Sequence, residues 1–275
     1  MKNSIRMLAL IAVGLVLFSA TGCNKLRARD QLNKGVASYK NARYEEAIDH
    51  FQQAVTLDPS LLNARLYLAT ALANQYIPGV DTDDNNRIGQ QAIDEFKKVL
   101  EKNAGHDQRV TSLKGIASLY FNMKKLEDAK QYNHKVAEVD PNDPEAYYSI
   151  GVIAWTETYQ PRMEERAKLG LKPEEPLKDK KVCADLKEKN WANIQDGIDE
   201  LNKALQLRPD YDDAMAYMNL MYREKADVEC DDPAARAADL KTADDWVDKT
   251  MATKKAKAEK QPGQQGITLD QSGNK

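Results

Sequence analysis

The chain has little of what most enzyme chemistry needs. Its three histidines, His50, His106 and His134, are scattered through 275 residues with no metal-ligand spacing between them, so neither a zinc site nor a histidine-based nucleophile pair is expected. No phosphate loop, no Gly-x-Gly-x-x-Gly and no nucleophile elbow occurs. Asp81, Asp83 and Asn85 are spaced like the start of a calcium loop, but Asn86 and Ala92 stand where the loop needs glycine and glutamate. The expected structure there is a polar excursion in which Asp83 or Asp84 caps the next helix. Basic residues are not in surplus: 40 Lys and Arg face 43 Asp and Glu, a net charge of -3, which excludes a nucleic-acid footprint. The one long apolar run, Met7 to Phe18, is shorter than the roughly 20 residues a membrane-spanning helix needs. No catalytic residue, no metal, no small-molecule cofactor and no nucleic-acid partner is expected.

What the chain does have is a recurring interval. Gly35, Ala47, Phe51, Ala54 and Pro59 are separated by 12, 4, 3 and 5 residues, and Ala117, Ala129, Asn133, Val136 and Pro141 repeat those separations. Small residues at the first two places let helices cross closely, bulky ones fill the gap, and proline ends the second helix. These residues, with the segments Ala42–Phe51 and Ala146–Gly151, resemble the tetratricopeptide repeat. The resemblance implies an all-α fold, a right-handed α-solenoid of four to five helix pairs, with copies at about 28–59, 62–104, 110–141, 144–209 and 212–252 inside a solenoid spanning 31–254.

Three copies carry extra residues between their two helices. The first interval lengthens to 23 from Ala69 to Ala92, to 46 from Gly151 to Gly197 and to 24 from Asn219 to Ala243. The second helix then resumes in phase, at Ala92, Phe96 and Val99, at Gly197, Leu201, Ala204 and Pro209, and at Ala243 and Val247. In the fourth copy's insertion, 157–190, the positions that should be small, bulky and small in phase are Met163, Ala167 and Gly170, and prolines at 161, 173 and 176 break the segment, so a hidden sixth copy is rejected. A short helix from Arg162 to Leu169, a loop from Gly170 to Pro176 and a long helix from about Leu177 to Leu207 are expected instead. Asp58-Pro59, Asp140-Pro141 and Pro209 mark helix stops, and Asp232-Pro233 a helix start. Residues 255–275 carry too little apolar surface to order themselves and are expected to be a disordered tail.

Lys2 and Arg6 precede the apolar run, and Ala20-Thr21-Gly22-Cys23 follows it. That ending resembles the lipobox of bacterial lipoproteins, with Ala20 in the usual place of leucine. The resemblance implies removal of residues 1–22, lipidation of Cys23, and a short linker over 23–30 that leads into the solenoid. The processed chain would keep 38 basic and 43 acidic residues, a net charge of -5. Asn24 rather than aspartate after the cysteine favours the outer membrane under the enterobacterial sorting rule, with the solenoid facing the periplasm. Lys25, Arg27 and Arg29 would then lie beside lipid headgroups or in a solvated linker.

Lipidation of Cys23 leaves Cys183 and Cys230, both in segments between the helices of a pair. An oxidising compartment permits a disulfide between them, and two free thiols are the alternative.

In tetratricopeptide proteins the first helix of each pair lines a concave face. Carried over by phase, that face would comprise Leu32, Val36, Tyr39, Leu66, Thr70, Asn74, Lys114, Ser118, Phe121, Asn122, Tyr148, Val152, Trp155, Leu220, Arg223 and Glu224. Aromatics and asparagines in such a groove suit an extended peptide or a partner helix, while Tyr39, Phe121 and Trp155 could equally pack against the next repeat. The expected function is a membrane-tethered scaffold for protein–protein interaction in the bacterial envelope, of the general build found in outer-membrane and pilus assembly. The alternatives are a self-assembling structural protein, and a binder or enzyme for cell-wall fragments with Tyr159–Cys183 as a lid.

Overall fold

The structure is a computed structural model that describes residues 22–172 and 175–260. Residues 1–21 of the expected signal peptide (1–22) and 261–275 of the expected tail (255–275) lie outside the described residues. Ten helices and no strand are found among the described residues: α1 (22–40), α2 (Tyr44–Leu57), α3 (Leu62–Gln75), α4 (Asp83–Leu100), α5 (His106–Asn122), α6 (Leu126–Val139), α7 (Pro144–Lys168), α8 (Lys180–Leu207), α9 (Asp212–Asp227) and α10 (Pro233–Lys260). They form two compact units, Met1–Asp140 and Pro141–Lys275. In the first, α3 packs on α2, α4 and α5, and α5 on α4 and α6; in the second, α7 packs on α8 and α9, α8 on α9, and α9 on α10. Each unit is a stack of helix pairs, the all-α solenoid class that the intervals imply.

The periodic residues are what hold each pair together. Ala47, Phe51 and Ala54 are fully buried, and so are Ala92 and Val99, Ala129 and Val136, and Leu201 and Ala204. A Cβ on Gly35 would stand 2.5 Å from the Phe51 ring, and one on Gly151 would stand 2.5 Å from Leu201 Cγ. Glycine at these places is therefore a matter of approach distance. Burying a side chain as large as Phe51 contributes about 1.5–3 kcal/mol. Asn133 occupies the bulky place in the third copy, buried, with its amide donating to the Ala129 carbonyl at 3.0 Å.

Helix ends follow local chemistry. α2 stops at Leu57, and Asp58 then accepts from the Ser60 amide at 3.0 Å. Asp143 caps α7 through the Glu145 amide at 3.0 Å, with Pro144 in the first turn. Asp232 caps α10 through the Ala235 amide at 2.8 Å.

Several expectations need correction. Thr82, not Asp83 or Asp84, caps α4, accepting from the Asn85 amide at 3.3 Å; Asp83 and Asp84 lie in the first turn. Asn85 is spent on the backbone: its amide donates to the carbonyls of Ile77 (2.9 Å) and Val80 (2.7 Å) and its oxygen accepts from the Ile77 amide, which braces the loop before α4. The expected helix over Arg162–Leu169 is instead the far end of one helix, α7, which runs through Pro161. α8 starts at Lys180 rather than near Leu177 because Asp179 caps it, accepting from the amides of Lys181 and Val182 at 3.0 Å each. In the fifth copy Ala243 is buried, but Val247 is 39% exposed and Thr250 turns inward to donate to the Trp246 carbonyl at 2.7 Å. Residues 255–260 belong to α10 rather than to a tail, because Lys257 reaches back to Asp212. Residues 23–30 are helical, not a linker.

Candidate partner-binding faces

In the first unit the expected residues sit on α1, α3 and α5. Tyr39 of α1 meets α3 through a hydrogen bond, with the Asn74 amide donating to the Tyr39 hydroxyl, and packs edge-on against Tyr44 at 5.4 Å. Thr70 donates to the Leu66 carbonyl at 2.9 Å, so its hydroxyl serves its own helix. Gln108 joins α5 to α3 by donating to Asn63 at 2.6 Å. Leu32, Val36, Leu66, Lys114, Phe121 and Asn122 are half-buried, and Asn74 and Ser118 are exposed. Asn122 also lines a cleft of about 610 Å³ with Tyr76, Val80, Gln90 and Lys124, walled by the loop that Asn85 braces. This face mixes apolar and polar side chains in about equal number.

The second unit carries a different one. Tyr148 and Trp155 of α7, expected at the groove, converge on Tyr217 of α9 at ring distances of 5.6 and 5.5 Å, both edge-on. Tyr211 stands 4.9 Å from Tyr148, and Tyr159 stands 4.7 Å from Trp155. Four of these rings are half-buried and Tyr211 is buried. Tyr148, Trp155 and Tyr159 recur at helical spacing on one face of α7 with Val152 between them. Burial, the neighbouring Tyr217 and Asp213 push the Tyr148 hydroxyl well above its ordinary titration range. Burial and Glu145 push that of Tyr211 up to about 12, and burial and Asp213 raise Tyr217. All three stay neutral hydroxyls in any physiological solution, each an apolar body with a hydrogen-bonding tip.

Glu224 is not on an open face. It is 1% exposed, and Arg162 Nε lies 2.8 Å from its carboxylate. Asp227, one turn on, accepts from Arg162 at 2.7 Å and from Arg166 at 2.9 Å, and Arg166 also donates to the carbonyls of Lys172 and Glu175. Burial pushes the Glu224 carboxyl up to about 7 despite the pull of Arg162. Burial works against the charge on Arg162, but Glu224 and Asp227 outweigh it. Arg223 points outward to Asp244 at 2.7 Å, and Leu220 is half-buried. Tyr159, Arg162, Met163, Arg223 and Leu240 line a cleft of about 480 Å³ beyond the last ring.

Sequence reasoning missed Tyr159, Tyr211 and Tyr217, together with Arg162, Arg166 and Asp227. Reading α7 through Pro161 would have placed Tyr159 on the stripe. Nothing in the sequence pairs Arg166 with Asp227, 61 residues away.

Cys183 and Cys230 form a disulfide, with Cα atoms 5.6 Å apart, between the first turn of α8 and the loop before α10. Cys23 is exposed and takes part in no disulfide. His50 bonds Gln31 at 2.7 Å, and His106 is exposed beside Asp107. Among the described residues no group of three or more His, Cys, Asp or Glu is placed to hold a metal, and no helix is long and apolar enough to cross a membrane.

Residues 28–61 and 115–143 each match a model of the tetratricopeptide repeat. These two segments are tetratricopeptide repeats. No curated protein sequence matches it. Among solved structures it is similar to MamA (TM-score 0.56, 13% identity, covering 85% of this chain and 94% of that one). It is also similar to MamA, residue 41 to the end, from Desulfovibrio magneticus RS-1 (0.55, 17%, 84% and 96%). A third similar structure is YrrB, described as a TPR protein with an unusual peptide-binding site (0.52, 16%, 87% and 96%). At these identities the likeness concerns the fold alone: stacked helix pairs continue beyond the two matched segments.

Proposed function

We propose that this chain is a lipid-anchored tetratricopeptide scaffold that holds another protein in the bacterial envelope, facing the periplasm from the outer membrane, within an assembly complex such as those that build outer-membrane proteins or pili. The observation that carries the binding role is the aromatic stripe of Tyr148, Trp155, Tyr159 and Tyr217. Four half-buried rings with neutral polar tips on adjacent first helices offer large, rigid contact area at little entropic cost, the composition that peptide-binding surfaces favour. The peptide-binding site named for YrrB supports the same use of a similar fold. The anchor rests on the lipobox-like ending at Cys23 and on that residue's exposure.

Crosslinking in envelope fractions tests the binding role. Partners captured by the native chain and lost in the Trp155→Ala, Tyr217→Ala double variant support it. An unchanged set would move the contact away from α7 and α9. Crosslinks only between copies would favour self-assembly, for which the exposed Val247 and Met251 of α10 offer an apolar surface.

A further inference from the structure

The first described turns of α1 have a composition that the fold does not explain. Residues 22–27 are all exposed, and Ala28 is the first side chain packed against the rest of the unit. Residues 22–27 therefore extend the helix beyond its packed part by more than a turn. Leu26 lies in this overhang, 72% exposed, the most exposed large apolar side chain among the described residues. At 100° per residue it points half a turn away from Gly35, where α1 meets Phe51. Lys25, Arg27 and Arg29 surround it, and the first acidic residue, Asp30, is taken by Lys34 at 2.8 Å.

Both features are unfavourable in water. A short unpacked helical segment is marginal by itself, and in a chain processed at Cys23 three cations would crowd the end of the helix where the macrodipole is positive. An anionic phosphate layer answers each at once. It neutralises the cations, it meets the amides that processing at Cys23 would leave free at the helix N-terminus, and the hydrocarbon beneath it takes the leucine. Cys23 stands three residues before Leu26, close to one turn, so a lipid on its sulfur would enter the bilayer on the leucine's side.

We infer that the first two turns of α1 dock end-on in the headgroup layer of an anionic phospholipid membrane, with Leu26 among the acyl chains and Lys25, Arg27 and Arg29 on the phosphates. This rests on the reading of Cys23 as a lipidated residue. It goes further by making the anchor stiff. The helix runs unbroken from the lipid into the first repeat, so the scaffold is held at the surface rather than hung on a loose tether.

The test uses the full chain, processed in a bacterial host and reconstituted into vesicles of phosphatidylglycerol and phosphatidylethanolamine with bromine-labelled acyl chains. Tryptophan is introduced by Leu26→Trp or by Asn33→Trp, the latter about 10 Å further along the same face. Fluorescence is read against the background of Trp155, Trp191 and Trp246. Quenching at position 26 and not at 33, weakened by Lys25→Gln with Arg27→Gln and Arg29→Gln, is the expected result. No quenching at 26 overturns the docking, as does equal quenching at both positions, which would lay the helix flat, or crosslinking of position 26 to a second copy or another protein. The mass of the N-terminal peptide separates the two readings: an acylated Cys23 with unquenched tryptophan sinks only the docking, and an unacylated Cys23 sinks the anchor as well.

Discussion

Gly151 shows how little room a repeat leaves at its crossing point. The three nearest atoms to an added Cβ are Leu201 Cγ, Cδ2 and Cδ1 at 2.5, 2.8 and 3.2 Å, and Leu201 is fully buried with nowhere to retreat. Gly151→Ala should cost about 1–3 kcal/mol through overpacking. Urea unfolding of Gly151→Ala, Leu201→Ala and the double variant checks the cause. The double variant should lose clearly less than the sum of the singles, since the smaller partner makes room for the methyl. Full additivity would mean the crossing is not what requires glycine.

Glu224 offers a second residue-scale test. Burial raises its carboxyl from an ordinary 4.5 to about 7, so between those values the folded chain keeps a proton that the unfolded chain has released. The stability from this group is present in full below about 4.5 and is lost as pH rises through about 7. Unfolding midpoints at pH 5 and pH 8 should therefore differ less in Glu224→Gln than in the native chain. An identical pH difference in both would show that Glu224 does not titrate in this window.

At the scale of elements, α7 is the informative case. Proline in a helix interior removes a backbone donor and costs about 3 kcal/mol, which is why Pro161 reads as a stop in the sequence. The helix continues because Arg162 and Arg166, just beyond it, are bonded to Asp227 and Glu224 of α9 and to carbonyls of the following loop. Local rules are outvoted by partners more than 60 residues away. The same logic runs through the rest of the chain. Asp232-Pro233 and Pro209 are legible because capping and proline chemistry act within a few residues, and the in-phase alanines because the helical period fixes which side is buried. The end of α10 is not legible, since it depends on Lys257 meeting Asp212 across a helix pair. The aromatic stripe was half legible: phase alone found Tyr148 and Trp155, while Tyr217 belongs to a position the phase assigns no role.

Arg166→Met tests this account of α7. It leaves Asp227 buried with one guanidinium fewer and strips the loop carbonyls of their donor, a loss of about 3–5 kcal/mol by the usual cost of breaking a buried ion pair. Hydrogen exchange should quicken most over 162–172, where the extension loses its tie to α9, and less over 214–221 in the body of that helix. Uniform quickening across the second unit would make Arg166 a general core residue rather than the support of the extension.

At the scale of the whole molecule, repeat arrays store stability locally, as terms within each pair and between neighbours. The disulfide gives a reversible way to probe this. It closes a loop with a sequence separation of 47 residues wholly inside Pro141–Lys275, and the chain-entropy model assigns such a closure about 4 kcal/mol, with strain and residual structure lowering the measured value. Reduction with dithiothreitol, or Cys183→Ser with Cys230→Ser, should lower the unfolding free energy by up to about that amount. Amide protection should fall over α8, α9 and α10, because freeing Cys183 and Cys230 enlarges the open ensemble of the segment they bracket. α2 to α5 contain neither cysteine, and their buried residues, Phe51, Leu68, Ile93 and Ile116, draw on contacts within their own unit, so their protection should stay where it was. If protection in α2 to α5 fell in step with that of α8, the chain would unfold as one cooperative body, and stability could not be apportioned pair by pair as the repeat architecture requires.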